Sequence, residues 1–259
     1  YGREALLRAK EVAEDLGFEV LHMYVDGLWV QKENLANPSD FDELLEVIRE
    51  HTGIPIALDG IYKWVVFLPS KLNSRVPVPN RYFGVFQNGE IKVRGIEARR
   101  RDTPPFIVTM QMDMLAILAR APSADDLPEY IPRALALVEK KIRDLREGRI
   151  PLEDLLITQK LSRELKSYRS PSPAARAALQ LVDAGKHISA GQSVRFLYTR
   201  GKPGVYAWDM SKSFDNRTLD IHRYKELINR AAKTILDSVK INANGQCTDK
   251  DMMYKVLQM

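Results

Sequence analysis

A carboxylate is expected at the tip of a hairpin near the start of the chain. Asp26 and Gly27 lie between two strand-like runs, 18–23 and 28–31, so the sequence predicts a two-residue turn made of Asp26 and Gly27. An exposed aspartate there can accept hydrogen bonds or ligate a hard cation. The residue is also explained by the turn alone, because Asp-Gly is common in tight hairpins.

Basic residues recur in two short stretches whose chemistry suits phosphate. They are Arg94, Arg99, Arg100 and Arg101 in the first stretch, and Lys160, Arg163, Lys166 and Arg169 in the second, where Tyr168 adds an aromatic ring. Such side chains make charge-assisted hydrogen bonds to phosphate oxygens. A charged face that meets only water is the alternative for each stretch.

Length and composition limit the number of domains and the kinds of partner that the chain can have. The 259 residues suffice for two domains, since domains typically have roughly 100–200 residues. Lys and Arg exceed Asp and Glu by 39 to 34, a modest excess that favours an anionic partner such as nucleic acid. No apolar run approaches the roughly 18 residues of a membrane helix, so no membrane partner is expected.

Cysteine and histidine usage argues against disulfides and zinc. Cys247 is the only cysteine, and the four histidines lack metal-ligand spacing. This usage fits a reducing, cytoplasmic compartment. The first residue is Tyr1 rather than Met, and we interpret the chain as a piece of a longer one.

The first hundred residues alternate helical and strand-like patterns. One helix is predicted over 4–16 with Gly17 as its cap, and another from a cap at Ser39 to about Gly53. Further strands are predicted at 54–58, 62–68, 81–86 and 91–94, the last two joined by a turn at Asn88-Gly89. The pattern indicates helices packed on an antiparallel sheet.

The pattern changes after residue 102. Helices are predicted at 104–119, 125–147, 173–184 and 220–237, and strands at 155–158, 194–198 and 205–209. Trp64 and Trp208 lie in apolar strand contexts and are interpreted as packing residues. The fold class is therefore α+β, with an antiparallel sheet and helices over 1–102, a mainly helical unit over 103–238 and a tail over 239–259.

The hairpin segment GFEVLHMYVDGLW, residues 17–29, resembles motif C of family B DNA polymerases, whose usual core is Asp-Thr-Asp-Gly or Asp-Thr-Asp-Ser. Further segments that resemble the family occur in its order: YGRE at 1–4, LDGIYKWVVF at 58–67, NRYFGVF at 80–86, RGIEARRRD at 94–102, ITQKLSRELKSYRSPSP at 157–173 and GQSVRFLYTRGK at 191–202. The resemblance covers 1–238. It implies the carboxy-terminal half of the polymerase palm at 1–102 and the thumb at 103–238.

The resemblance also implies a catalytic site. Family B enzymes hold two Mg²⁺ ions with carboxylates from motifs A and C. Asp26 matches the second aspartate of motif C, which makes it the expected catalytic residue and metal ligand. Asp59 is a weaker second ligand, and an exposed turn at Asp59-Gly60 is the alternative explanation for it. Motif A is expected upstream of Tyr1. Tyr24 takes the place of the first aspartate, and its neutral phenol cannot replace a carboxylate on magnesium.

DNA contacts follow from the same resemblance. NRYFGVF occupies the place of the KKxY primer-binding motif, so Arg81 and Tyr82 are expected at the primer–template, although an ordinary edge strand is the alternative. The two basic stretches above are expected to bind DNA as well. The implied partners are primer–template DNA, a dNTP and the upstream remainder of the polymerase, in the cytoplasm at the nucleoid.

Two functions are compatible with these motifs. The first is template-directed DNA synthesis, with this chain supplying Asp26, the primer contacts and the thumb. The second is a catalytically impaired, polymerase-derived DNA-binding component with an accessory or regulatory role, because Tyr24 removes a carboxylate. In that case Tyr24→Asp is expected to raise activity sharply. A basic module unrelated to polymerases would require the ordered segments to be accidental.

Overall fold

The computed structural model describes residues 2–70, 72–73, 76–211, 213–243 and 255–258. Within these residues the helices are α1 (Gly2–Asp15), α2 (Asp42–Thr52), α3 (Pro105–Leu118), α4 (Leu127–Arg146), α5 (Pro173–Asp183) and α6 (Ile221–Ala243). The strands are β1 (Glu19–Tyr24), β2 (Gly27–Gln31), β3 (Ala57–Pro69), β4 (Pro77–Phe86), β5 (Ile91–Arg94), β6 (Ile157–Lys160), β7 (Ser193–Tyr198), β8 (Val205–Ala207) and β9 (Lys255–Gln258).

The chain forms two compact units. Unit 1 comprises Tyr1–Gly95, Leu115–Ile131 and Ile235–Met259, and unit 2 comprises Ile96–Met114 and Pro132–Thr234. Both units contain antiparallel strands and helices, so the α+β prediction is confirmed. Among the described helices, none has the length and apolarity needed to cross a membrane.

The sheet of unit 1 has six strands in the order β1-β2-β9-β3-β4-β5, paired antiparallel throughout. Part of the predicted tail belongs to this architecture. Helix α6 continues to Ala243 rather than ending near 237, and β9 lies between β2 and β3. The rest of the tail, 244–254 and 259, lies outside the described residues.

Alternation along β2 gives the sheet two different faces. Leu28 and Val30 pack with α1 and α2 in a mainly aliphatic core, and Leu44 of α2 is buried there at 1% exposure. Trp29 points to the other face, where it joins an aromatic cluster with Tyr82. Fully burying a Leu or Val side chain contributes about 1.5–3 kcal/mol to the free energy of folding. Burial on both faces therefore stabilises the position of the hairpin β1–β2.

The predicted break at Asp59-Gly60 is wrong, because β3 runs unbroken through both residues. A bulge between Leu58 and Gly60 keeps the strand paired with β9. A Cβ on Gly60 would lie 2.9 Å from the ring of Phe86, so the glycine serves close packing rather than a turn. The sequence pattern alone does not distinguish these two uses of glycine.

The start of the second helix is also corrected. A short 3₁₀ turn, Pro38–Phe41, precedes α2, and Asp40 caps it by accepting hydrogen bonds from the backbone N–H groups of Ala36 and Asn37, at 2.8 and 2.7 Å. The expected cap at Ser39 is therefore wrong. Gly53 does end the helix in a left-handed conformation, as predicted.

Unit 2 is built on a three-stranded sheet, β6-β7-β8, with α5 packed against it. Helix α5 begins at residue 173, as predicted, because Ser172 Oγ accepts a hydrogen bond from Ala175 N at 3.3 Å and Pro173 is the first helical residue. Tyr224 of α6 is fully buried; its hydroxyl donates to Leu155 O at 2.9 Å and accepts from Tyr198 N at 3.1 Å. Helix α6 is thereby fixed to the strands.

Candidate functional site

The tip of the β1–β2 hairpin presents Asp26 to solvent. Tyr24 pairs with Gly27, so the turn consists of Val25 and Asp26, and the predicted Asp26-Gly27 turn is wrong by one residue. In this register Met23 pairs with Leu28, and both side chains pack in the same core. Asp26 still lies at the tip.

Val25 gives this tip an unusual backbone. Its φ of 51° lies in the left-handed region, which a β-branched residue rarely adopts, and the residue is 71% exposed. Asp26 N donates to Tyr24 O at 2.6 Å, so the chain reverses within three residues. The tight reversal carries the Asp26 carboxylate beyond the last ladder pair.

Tyr24, which the sequence resemblance aligns with the first motif C aspartate, has a cation beside it. The guanidinium carbon of Arg94 lies 5.0 Å from the centre of the Tyr24 ring. A cation–π contact at an exposed site is worth about 0.5–1 kcal/mol. Arg94 was predicted to bind DNA; in the structure it contacts the hairpin.

His22 lies on the aromatic face behind the tip. Its ring is 5.0 Å from that of Trp29 and 5.8 Å from that of Phe67, and its Nε2 is buried without a hydrogen-bond partner in the described part of the chain. Burial lowers the pKa of His22 below its ordinary value, since it disfavours the charged imidazolium. The neutral form therefore predominates in the fold at neutral pH.

Asp59, the weaker predicted metal ligand, is paired with a lysine. Lys92 Nζ on β5 lies 2.9 Å from Asp59 Oδ2 and 3.2 Å from Oδ1, and the Asp59 side chain is 17% exposed. Within the residues that the structure describes, no three His, Cys, Asp or Glu side chains form a group that could hold a metal ion. The structure does not bring Asp26 and Asp59 together in such a group.

The two candidate residues of the predicted primer-binding strand differ in their exposure to solvent. Arg81 of β4 donates from Nε to Gly95 O at 3.1 Å and keeps part of its surface exposed. Tyr82 is only 3% exposed, with its ring 6.0 Å from Trp29 and 5.4 Å from Phe67. For Tyr82 this position favours a packing role over surface contact.

Gly95 fixes the end of this strand pair. Its φ is 65°, and a Cβ there would lie 2.4 Å from Asn80 O. No other residue fits without moving the backbone next to Arg81. The glycine thus determines where Arg81 and Arg94 emerge from unit 1.

The other arginines of the first basic stretch belong to unit 2. Arg100 forms a two-pronged ion pair with Asp102, at 3.0 Å from Nε to Oδ1 and 2.8 Å from Nη2 to Oδ2. The hydrogen bond from Arg100 lowers the pKa of Asp102. Arg99 and Arg101 are exposed and have no partner among the described residues.

A buried polar network holds the turn that carries these arginines. Gln111 of α3, fully buried, donates from Nε2 to Glu97 Oε2 and to Ala231 O, both at 3.0 Å, and accepts from Ala98 N at 2.6 Å. Thr234 Oγ1 donates to Glu97 Oε1 at 3.1 Å. The sequence did not lead us to predict Glu97 or Gln111; the available signal was a glutamine among the mainly apolar residues of FIVTMQMDMLAIL.

The second basic stretch is an exposed segment on an apolar base. Leu161 and Leu165 pack into the core of unit 2, and Glu164 Oε1 accepts from Ala190 N at 3.0 Å. The four predicted cations, Lys160, Arg163, Lys166 and Arg169, are all exposed. Arg163 lies over the Tyr168 ring at 5.3 Å, and Tyr168 OH is 3.2 Å from Ser162 Oγ.

Comparison with known proteins decides the family. Residues 51–243 match the family described as DNA polymerase family B. The chain belongs to this family. The hairpin with Asp26 precedes the matched range, so its assignment to motif C rests on the resemblance of residues 17–29.

Archaeal relatives extend the likeness of this family B chain over nearly its whole length. It is 26% identical over 225 residues to the DNA polymerase of Archaeoglobus fulgidus, covering 85% of this chain and 27% of the relative. It is 27% identical over 244 residues to DNA polymerase 1 of Sulfolobus acidocaldarius, covering 93% and 26%. The chain thus spans about a quarter of the length of these curated relatives.

A solved structure supports the fold. The family B DNA polymerase from the hyperthermophilic archaeon Pyrobaculum calidifontis matches with a TM-score of 0.60 and 24% identity, over 91% of this chain and 29% of that structure. At this identity the likeness concerns the fold of the family B chain.

Proposed function

We propose that this chain is the carboxy-terminal part of a template-directed DNA polymerase that adds nucleotides to a primer 3′ end. Residues 1–102 would form the back half of the palm, 103–238 the thumb, and 239–259 the tail. The observation that carries the proposal is the exposed carboxylate of Asp26 at a hairpin tip in a family B chain. The protein would act at the nucleoid, with primer–template DNA and a dNTP as partners.

Asp26 supplies one part of the proposed site. Its carboxylate is exposed and has no side-chain partner among the described residues, so it is free to bind a cation. Tyr24 is not a carboxylate, and Asp59 is paired with Lys92. The described residues therefore do not fit a magnesium site by themselves, and we propose that Mg²⁺ binding requires carboxylates upstream of this chain.

DNA binding is proposed for the exposed cations of each unit. In unit 1, Arg81 and Arg94 lie at neighbouring positions of β4 and β5, since Tyr82 pairs with Arg94. In unit 2, four exposed cations emerge from the anchored segment 160–169. Lysine and arginine fixed on a rigid base neutralise backbone phosphates without reading sequence, as a polymerase must do.

The salt dependence of DNA binding tests the proposed thumb surface. With four or five phosphates neutralised, log affinity should fall against log salt with a slope of about −4 for primer–template bound by the complete protein. Replacing Lys160, Arg163, Lys166 and Arg169 by serine should make the slope shallower by about 0.9 for each phosphate that is no longer neutralised.

Lys140 provides the matched control, because it is an exposed cation of α4 outside the predicted surface. Lys140→Ser should leave the slope unchanged. A quadruple variant with the native slope would contradict the assignment of segment 160–169 to DNA. Primer extension with and without Asp26→Ala tests the catalytic part of the proposal.

A further inference from the structure

Unit 2 contains a cavity that the proposed polymerase function does not use. Its volume is about 590 Å³, and it lies among the end of α4, the 3₁₀ turn Asn216–Thr218 and the start of α6. Its floor is aliphatic, formed by Leu145, Ile150, Leu152, Leu155, Leu219 and Ile221. Cavities of roughly 300–1,000 Å³ with such linings are typical of ligand sites.

The rim of this cavity is strongly basic. Arg146, Arg217 and Lys225 line it, and their side chains have no hydrogen-bond or ion-pair partner among the residues described. Arg200 joins them, held by a hydrogen bond from its Nη2 to Arg217 O. An occupant with negative charge would therefore meet several unneutralised cations.

The one acidic lining residue is already engaged. Asp220 Oδ1 accepts a hydrogen bond from Arg223 N at 3.0 Å and caps α6. The positive end of that helix faces the same region, since Ile221, its first residue, lines the cavity. The electrostatics of the cavity thus favour an anionic occupant.

The aliphatic floor indicates which kind of anion fits. Sites for unpaired nucleobases use aromatic stacking platforms, and the lining residues include no Phe, Tyr or Trp. A phosphate backbone would leave the leucines and isoleucines of the floor uncovered. A peptide with an aliphatic side chain flanked by carboxylates satisfies both the floor and the rim.

We propose that this cavity docks an acidic peptide segment of a partner protein, with a Leu or Ile side chain on the floor and carboxylates on Arg146, Arg217 and Lys225. The site is independent of the Asp26 hairpin. It would recruit the polymerase to another protein while the cations of segment 160–169 bind DNA.

Selection from a random heptapeptide library on the complete protein tests this site. The expected result is enrichment of peptides that combine at least two Asp or Glu with Leu or Ile. A synthetic copy of the enriched peptide should bind at least tenfold more weakly to the double variant Arg217→Glu, Lys225→Glu. Lys233→Glu, a reversal of an exposed charge further along α6, should retain the native affinity.

Two further measurements keep the outcome unambiguous. Leu152→Gln, at a partly exposed floor position, should also weaken the peptide, and circular dichroism should show the native fold for each variant. Enriched peptides without acidic residues would overturn the proposal, as would peptides that bind the double variant normally. A fall in primer–template affinity with unchanged peptide affinity would assign the rim to DNA and overturn it too.

Discussion

Arg94 should limit how strongly an aspartate introduced at position 24, the proposed first carboxylate position of motif C, promotes metal binding. The Arg94 guanidinium lies 5.0 Å from the centre of the Tyr24 ring, and this exposed side chain can approach a carboxylate introduced by Tyr24→Asp to a similar distance. At that distance opposite charges attract by about 1 kcal/mol in water and about 3 kcal/mol at an effective dielectric constant of 20. A divalent cation must overcome this attraction before it gains the new ligand.

The exposure of Arg94 places the effect at the lower end of this range, because solvent screens the pair. We expect Tyr24→Asp with Arg94→Gln to require about 5- to 10-fold less Mg²⁺ for half-maximal primer extension than Tyr24→Asp alone. The assay is extension by the complete protein at saturating primer–template over a series of Mg²⁺ concentrations.

Arg3→Gln is the matched control, because Arg3 is an exposed cation on α1 outside the predicted site. Combined with Tyr24→Asp it should leave the Mg²⁺ requirement unchanged. Equal Mg²⁺ requirements for Tyr24→Asp with and without Arg94→Gln would refute the competition between Arg94 and the metal.

Three stability predictions concern residues that support the site. His22→Phe should reduce the loss of thermal stability between about pH 7.5 and pH 5, because the unfolded chain takes up a proton below about 6.5 while the partly buried imidazole stays neutral. Gly95→Ala should cost more than about 2 kcal/mol in chemical unfolding, since its Cβ meets Asn80 O. Gln111→Leu should cost about 1–3 kcal/mol in the same assay, because Glu97 loses a buried donor.

Each of these has a control in the same structure. His51 is exposed, so His51→Phe is the control for His22→Phe and should not alter the pH dependence of stability. Gly89 has a φ of 88°, but a Cβ added there would meet nothing within 4 Å, so Gly89→Ala isolates the backbone effect. Met112→Leu changes α3 next to Gln111 without removing a polar group. Equal effects for a residue and its control would refute the corresponding explanation.

Local sequence signals predicted much of the secondary structure. Asn88-Gly89 does join β4 and β5, and Gly89 has the positive φ that such turns require. The Ser172 cap and Pro173 start α5 for reasons contained within four residues. Where the determinants are this close in sequence, prediction and structure agree.

Tertiary packing overrode local signals at two positions. Asp-Gly is a common turn sequence, yet Asp59 and Gly60 lie inside strand β3. The ring of Phe86 fills the space that a side chain at position 60 would occupy. Valine is a residue type that favours strands, yet Val25 takes a left-handed turn position. The strands pair Met23 with Leu28 and Tyr24 with Gly27, which leaves Val25 in the turn. These outcomes depend on packing partners that the local sequence pattern does not reveal.

The electrostatic surroundings of the candidate site could not be read from the sequence. Lys92 neutralises Asp59 across 33 residues, and Arg94 approaches Tyr24 across 70. Both contacts depend on where β5 lies in the sheet. The candidate carboxylates could be named from motifs, but whether each is free could not.

The most direct test of the proposed polymerase is primer extension with Mg²⁺ by the complete protein, compared with its Asp26→Ala variant at equal primer–template binding. We predict extension by the native protein and a loss of about a thousandfold or more in the variant, which corresponds to about 4 kcal/mol of transition-state stabilisation. Extension that survives Asp26→Ala unchanged would contradict the assignment of Asp26. No extension by either protein, with DNA binding intact, would contradict the proposed activity and leave a polymerase-derived DNA-binding component.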